Sequence, residues 1–316
     1  MGSNNDHKEV TFEFPPFIRV YKDGHMERIV EPKFTPPSSS LDPTTNVSSK
    51  DVIIDSKTGL SARLYLPQVQ ESQSKLPLLI YIHGGGFCIE SAFSPLYHSY
   101  LNSLVAQANV VAISIEYRKA PDYLIPICYE DSWSSIEWVV SESEKEEWFK
   151  KYVDFQRVFI AGDSAGGNIT HNMAIRAGCF DLKGLKIKGI ALIHPYFAKE
   201  LVGDEIGDVG MEREGKFWKF ICPLTTGLDD PLVCPRKDRN ISKLGCEKVL
   251  VCVAEKDGLR DRGWFYYQNL GKSGWNGVLE FMETEGENHV FHLFNPTSEK
   301  AGDLMKRLVS FINTSE

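Results

Sequence analysis

Ser164, Asp257 and His289 have the residue types that nucleophilic acyl chemistry uses, and they occur along this 316-residue chain in the order serine, acid, histidine that goes with a serine on a strand-to-helix turn. A serine hydroxyl attacks poorly until a base takes its proton, and a histidine serves as that base best when a carboxylate orients its ring. Ser164 lies in Gly-Asp-Ser-Ala-Gly (162–166), a G-x-S-x-G pentapeptide. Its small residues allow the sharp strand-to-helix turn that exposes the hydroxyl at the positive end of a helix. Taken alone, the same serine reads equally well as a helix cap. Its partners favour the nucleophile. Asp257 follows the apolar run "KVLVCVA" and His289 follows "VLEFME", so all three residues come just after strand-like segments. The spacing leaves room for one strand–helix unit between acid and base.

Acyl transfer also needs hydrogen-bond donors where negative charge develops. The run "YIHGGGFCIES" (81–91) offers them. Its three glycines let backbone N–H groups turn into a cleft that side chains would obstruct. Gly84 and Gly85, with Ala165 after the serine, read as an oxyanion hole. The run has neither the G-x-x-x-x-G-K-[ST] nor the G-x-G-x-x-G layout of a phosphate loop. Phe87, Tyr196, Phe197 and Trp218 are candidate substrate-binding residues by position, and each reads equally well as core. His292 is expected to pack behind His289, Asp261 to cap the next helix, and Asp163 to point away from the site.

The elements that must position these groups show in the hydrophobic rhythm. From residue 76 onward, nearly continuous apolar runs ("LPLLIYIH", "VVAISIEY", "RVFIAG", "IKGIALIH", "KVLVCVA", "VLEFME") read as strands buried on both faces, as in a parallel sheet. Helical patterns lie between them near 96–107, 129–149, 165–177, 261–272 and 298–313. Such alternation gives a doubly wound α/β sheet of eight mostly parallel strands, whose ligands sit beyond the carboxyl ends of the strands. "DVIID" and "SARLYLP", flanking Ser56-Lys57-Thr58-Gly59, read as a hairpin forming an antiparallel edge. "FIRVYKDGHMERIV" reads as another hairpin, joined to the body by the Pro/Ser-rich stretch 31–43. Residues 200–245 look charged and irregular. Together with residues 1–45 they are expected to cap one α/β domain spanning 1–316.

A net charge of -8 and the lack of a basic stripe argue against nucleic acid and anionic membrane as partners. No apolar run reaches the roughly 18 residues of a membrane span, and the polar start lacks the layout of a signal peptide. The expected location is the cytoplasm. The seven cysteines form no C-x-x-C pair and read as small buried hydrophobes with free thiols, and no metal site is expected.

HGGGF (83–87), GDSAGGN (162–168), Asp257 and His289 together resemble the hormone-sensitive-lipase-like branch of α/β-hydrolases. More closely, the chain is similar to the plant carboxylesterases, a group that also includes the 2-hydroxyisoflavanone dehydratases. The likeness runs nearly end to end, through "FIRVYKDGHMERI", "KLPLLIYIHGGGF", "HPYF" (194–197), "VAEKD" (253–257) and "GENHVFHL" (286–293). It implies cofactor-independent hydrolysis of small-molecule carboxylic esters with short to medium acyl groups. The family's gibberellin receptors have an aliphatic residue where His289 stands here, so the resemblance favours an enzyme over a receptor. Its dehydratases and cyclases leave elimination or cyclisation of a specialised metabolite as the alternative. The stretch "EYRKAPDYLIPICYED" (116–131) departs from the family's Asp-Tyr-Arg-Leu-Ala-Pro-Glu-His at Glu116, Lys119, Asp122 and Tyr123.

Overall fold

Valine, isoleucine and leucine fill both faces of the central runs, and a strand apolar on both faces is stable only when helices cover both. The computed structural model, which describes residues 9–31, 33–69, 74–198 and 209–314, meets that demand. Eight strands lie in one sheet: β4 (Val47–Asp55), β5 (Leu60–Pro67), β6 (Leu76–Ile82), β7 (Val111–Glu116), β8 (Val153–Asp163), β9 (Ile187–Ile193), β10 (Lys248–Ala254) and β11 (Val278–Thr284). Their order is β11-β10-β9-β8-β6-β7-β5-β4. The six from β6 onward are parallel, and the β4–β5 hairpin adds the expected antiparallel edge.

Alternate residues of each strand feed two cores. Ile80, Ile82 and Ile160 face α2 (Ile127–Ser141), α4 (Ala165–Cys179) and α6 (Arg260–Lys272). Leu79, Tyr81 and Phe159 face α1 (Pro95–Ala108) and α8 (Glu299–Asn313). In α8, Ala301, Leu304, Met305, Leu308, Phe311 and Ile312 form the buried stripe, and the Ser298 side chain caps the first turn by accepting from the Ala301 N–H. No helix among the described residues is long and apolar enough to cross a membrane.

Three segments differ from the expectation. The pattern over 129–149 is two helices, because the acidic run at 142–147 ends α2 and the Glu146 carboxylate then caps α3 (Glu147–Tyr152). The stretch read as irregular holds α5 (Val209–Ile221), which buries Phe217, Trp218 and Ile221 on one side and places Lys216 and Lys219 on the other. Asp261 lies in the first turn of α6 paired with Arg260, and Leu259 occupies the cap position. A short α7 (Phe291–Phe294) completes the helices.

The amino-terminal hairpin gains a third strand. β1 (Val10–Phe14), β2 (Ile18–Tyr21) and β3 (Met26–Arg28) form a separate antiparallel sheet. Its aromatic residues meet α5: Phe14 stacks on Phe217 at 4.1 Å, Phe17 on Phe217 at 5.5 Å and Phe12 on Phe220 at 5.6 Å. Arg28 ties the same sheet to the body through the carbonyls of Cys88 and Ala120 and the carboxylate of Asp122. Of the segments expected to cap the domain, residues 1–8, 32 and 200–208 lie outside the described residues.

Because aromatic stacking joins this small sheet to α5, Phe14→Ala should loosen it locally. Amide exchange across residues 10–28 is expected to quicken about tenfold or more while the central strands keep their protection. Unchanged exchange there would show that the Phe14 stack does not hold the sheet.

Candidate active site

Strand β8 ends at Asp163 and helix α4 starts at Ala165, so Ser164 alone makes the turn. Its backbone has φ 52° and ψ -118°, a conformation that costs a residue with a Cβ on the order of 1–2 kcal/mol. The Ser164 N–H donates to Ile193, and the Ser164 carbonyl accepts from Asn168 and Tyr196. The side chain makes no capping bond, so the fold does not use the hydroxyl as a helix cap. The flanking glycines are required by proximity. A Cβ on Gly162 would lie 2.4 Å from the Gly166 carbonyl oxygen, and one on Gly166 would lie 2.0 Å from that of Ile82.

Asp257 and His289 meet as expected beyond β10 and β11: His289 Nδ1–H donates to Asp257 Oδ2 at 2.7 Å. The other carboxylate oxygen accepts from the Leu259 N–H at 2.8 Å. Burial alone would push the Asp257 carboxyl up, but these bonds and the neighbouring imidazole hold it below its ordinary value, so it stays ionised. With Nδ1 occupied, Nε2 is the basic nitrogen of His289. The side chain is 34% exposed, whereas that of Asp257 is 3% exposed, so solvent reaches the pair from the histidine side. His194, just after the strand residue that bonds Ser164, places its ring 5.9 Å from that of His289.

The glycine loop corrects one expectation. Gly84 N–H already donates to Tyr97 Oη at 2.8 Å, and the Tyr97 hydroxyl donates to Asp163 Oδ2 at 2.8 Å. Tyr81 donates to the other oxygen of Asp163 at 2.9 Å. Gly84 is therefore a structural donor. Gly85 and Gly86 carry φ 102° and 59°, and among the described residues no acceptor takes their N–H groups or that of Ala165. These three amides are unpaired, whereas that of Gly84 is taken. Asp163 points away from the site, as expected, and burial pushes its carboxyl up to about 6.

The departures at 116–131 also sit under this loop. Tyr117 stacks on the His83 ring at 4.3 Å and its hydroxyl donates to the carbonyls of His83 and Gly84. Glu116 accepts from Ser91 Oγ–H and Ala92 N–H, and Lys119 pairs with Glu116. Asp122 meets Arg28, and Tyr123 lies beneath the Arg118 guanidinium. Two of the unusual residues thus neutralise each other.

Of the candidate substrate-binding residues, three come together. Phe87 meets Tyr196 at 5.7 Å and Trp218 at 5.9 Å, edge to face. Phe197 does not join them: its ring stacks on Tyr266 at 4.8 Å and meets His171, inside the core between α4 and α6. Sequence reasoning missed Tyr97, Tyr117 and His194. The acidic neighbour of the serine was the only signal for Tyr97, since a buried carboxylate needs donors. His194, Asp257 and His289 each offer one donor atom within 4.8 Å of the others, a separation that could hold a metal ion. Asp257 and His289 are already joined by their hydrogen bond, which a cation would have to displace.

A serine held in strained backbone between a strand and a helix, in a sheet of this strand order, has the geometry of the α/β-hydrolase elbow. The alpha/beta hydrolase fold family matches residues 79–293, and the carboxylesterase family matches residues 32–121. The chain belongs to the α/β-hydrolase fold family, in the branch of the plant carboxylesterases. It is 45% identical to probable carboxylesterase 2 of Arabidopsis thaliana, over 98% of both chains. It is 42% identical to the 2-hydroxyisoflavanone dehydratase of Glycyrrhiza echinata, also over 98% of both. Among solved structures it resembles a thermophilic carboxylesterase cloned from a metagenomic library (26% identity, 90% of each chain, TM-score 0.70). It also resembles a hyperthermophilic esterase of Pyrobaculum calidifontis (27% identity, 84% of each chain, TM-score 0.67).

Tyr97→Phe removes the hydroxyl shared by Gly84 and Asp163 and leaves a buried donor and a buried carboxylate oxygen unpaired. It should cost about 2–4 kcal/mol in urea unfolding and lower ester turnover about tenfold or more through the displaced loop. Wild-type values for both would show that Gly84 needs no such anchor.

Proposed function

We propose that this chain is a carboxylic ester hydrolase in which Ser164 is the nucleophile, His289 the general base and acid, and Asp257 the orienting carboxylate. The observation that carries the reading is the strained Ser164 backbone with its side chain unused by the fold, a cost that a merely structural serine would not justify. His289 Nε2 takes the hydroxyl proton as Oγ bonds to the ester carbonyl carbon. The amides of Gly85, Gly86 and Ala165 receive the oxyanion. When the intermediate collapses, the C–O bond to the alcohol breaks and His289 returns the proton to the departing oxygen. Water, deprotonated by His289, then attacks the acyl-serine and frees the acid. Every proton has a carrier among these side chains, so the reaction calls for no metal or organic cofactor.

The acyl group is short to medium. Phe87 and Trp218 are 1% and 0% exposed, and with the partly buried Tyr196 they fill the space beside the elbow. The β1–β3 sheet and α5 act as the cap of one catalytic domain. The substrate is a small-molecule ester, with neither nucleic acid nor membrane as partner. The cytoplasm is the proposed location, and it suits seven unpaired thiols. A second reading, elimination on a specialised metabolite in the same cleft, has the support of the dehydratase relative alone.

Hydrolysis of p-nitrophenyl acetate, butyrate and octanoate separates the readings. Ser164→Ala should lower kcat/KM by about 10⁴-fold or more, paraoxon should leave one covalent phosphoryl adduct on Ser164, and octanoate should be the poorest substrate. Elimination product that survives Ser164→Ala, without ester turnover in the folded wild type, would favour the second reading.

A further inference from the structure

His194 is buried, 1% exposed, and held at φ 48°, a left-handed backbone that few residues with a Cβ adopt. Val290, directly after His289, is also left-handed at φ 46°, a rarer state still for a β-branched residue. One hydrogen bond joins the two strained residues: Val290 N–H donates to His194 Nδ1 at 2.8 Å. The His194 N–H donates in turn to the Cys252 carbonyl at 2.8 Å, so the imidazole is referenced to β10, the strand that carries Asp257. The rings of His289, Phe291 and His292 lie 5.9, 5.7 and 5.7 Å from that of His194.

We infer that His194 is a positioning residue. Its Nδ1 holds Val290 in the left-handed turn that sets the His289 imidazole against Asp257. This rests on the assignment of His289 and Asp257 to catalysis. The chemistry requires a neutral ring, because an imidazolium would set one N–H against another at Val290. Burial, with the charges possible on His292 and His289, keeps His194 well below the ordinary histidine range. The proton then resides on Nε2, which has no hydrogen-bond partner among the described residues. A histidine retained in a strained backbone, with one nitrogen unpartnered, is poorly explained by stability alone. The hydrogen bond to Val290 explains its type, since the position needs a neutral acceptor within reach of that N–H on a left-handed backbone. Asparagine offers the nearest substitute, because its side-chain oxygen can take the place of Nδ1 and it tolerates the left-handed backbone.

The test compares His194→Phe, which keeps a ring without the acceptor, with His194→Asn, which keeps an acceptor without the ring. His194→Ala serves if the phenylalanine variant does not fold. His194→Phe should lower kcat by about 10- to 100-fold, as a displaced catalytic group does, with KM nearly unchanged and slower paraoxon labelling of Ser164. His194→Asn should recover most of that loss. Proton NMR supplies a readout independent of turnover. The low-field resonance of the Nδ1 proton between His289 and Asp257 should persist in wild type and His194→Asn and broaden or shift in His194→Phe. Wild-type kcat and an unmoved resonance in His194→Phe would overturn the inference, as would a His194→Asn variant impaired as severely as His194→Phe. If the wild type itself lacks Ser164-dependent turnover, the esterase reading fails instead, and the resonance still decides whether His194 positions the pair.

Discussion

Helix α4 starts so close to strand β6 that the structure has no room for a methyl group between them at Gly166. That contact fixes much else. It forces β8 to hand over to α4 in a single residue, and the residue that makes the turn must accept a backbone other residues avoid. The strained turn at Ser164 is held in place by its own N–H donating to the Ile193 carbonyl and by its carbonyl accepting from the Tyr196 N–H, on the neighbouring strand and its loop. The Asp163 side chain, thrown to the opposite side by the same turn, lands among Tyr81 and Tyr97. Through Tyr97 it reaches Gly84, so the position of the Ser164 turn and that of the glycine loop depend on one buried carboxylate. The loop cannot shift without disturbing the elbow.

Most of the sheet was legible because strands buried on both faces leave an unmistakable apolar run, and six such runs became six parallel strands. The post-strand positions of Asp257 and His289 followed from the same rhythm, which is why two residues 32 positions apart could be paired before any geometry was known. What could not be read has a common cause. Gly84 and Gly85 are the same residue type in the same motif, and only the location of Tyr97, on a helix 13 residues later, decides which amide is free. Phe197 and Tyr196 are adjacent, and the twist after β9 sends their rings to opposite environments. α5 escaped notice because its polar face is rich in charge and its apolar face is short, a pattern that tertiary packing against Phe14 and Phe17 stabilises more than local propensity does. His194 looked like one more apolar-run terminus. Its function depends on Val290, nearly a hundred residues away.

Three layers of support converge on the site from different parts of the chain. The amino-terminal sheet presses Phe17 against Gly86 and hooks Arg28 over Cys88 and Ala120. The 116–131 stretch props the glycine loop from below through Tyr117 and the Glu116–Lys119 pair. The carboxyl-terminal loop is fixed by His194 and Leu259. The departures from the family pattern fall in the second layer: Glu116 and Lys119 compensate within it, and Asp122 joins it to the first through Arg28.

The strand order carries a consequence for how the enzyme comes into being. β8, followed by Ser164, sits in the middle of the sheet, whereas Asp257 and His289 follow β10 and β11, added outward at one margin and late in the chain. A ribosome-bound chain folding from its amino terminus can complete the strands through β9 and the strained elbow long before residues 257 and 289 have emerged. At that stage the Ser164 turn exists without the Asp257–His289 pair. On the roles proposed for these residues, ester cleavage must wait until the last strand docks, so synthesis itself serves as the safety catch of this hydrolase.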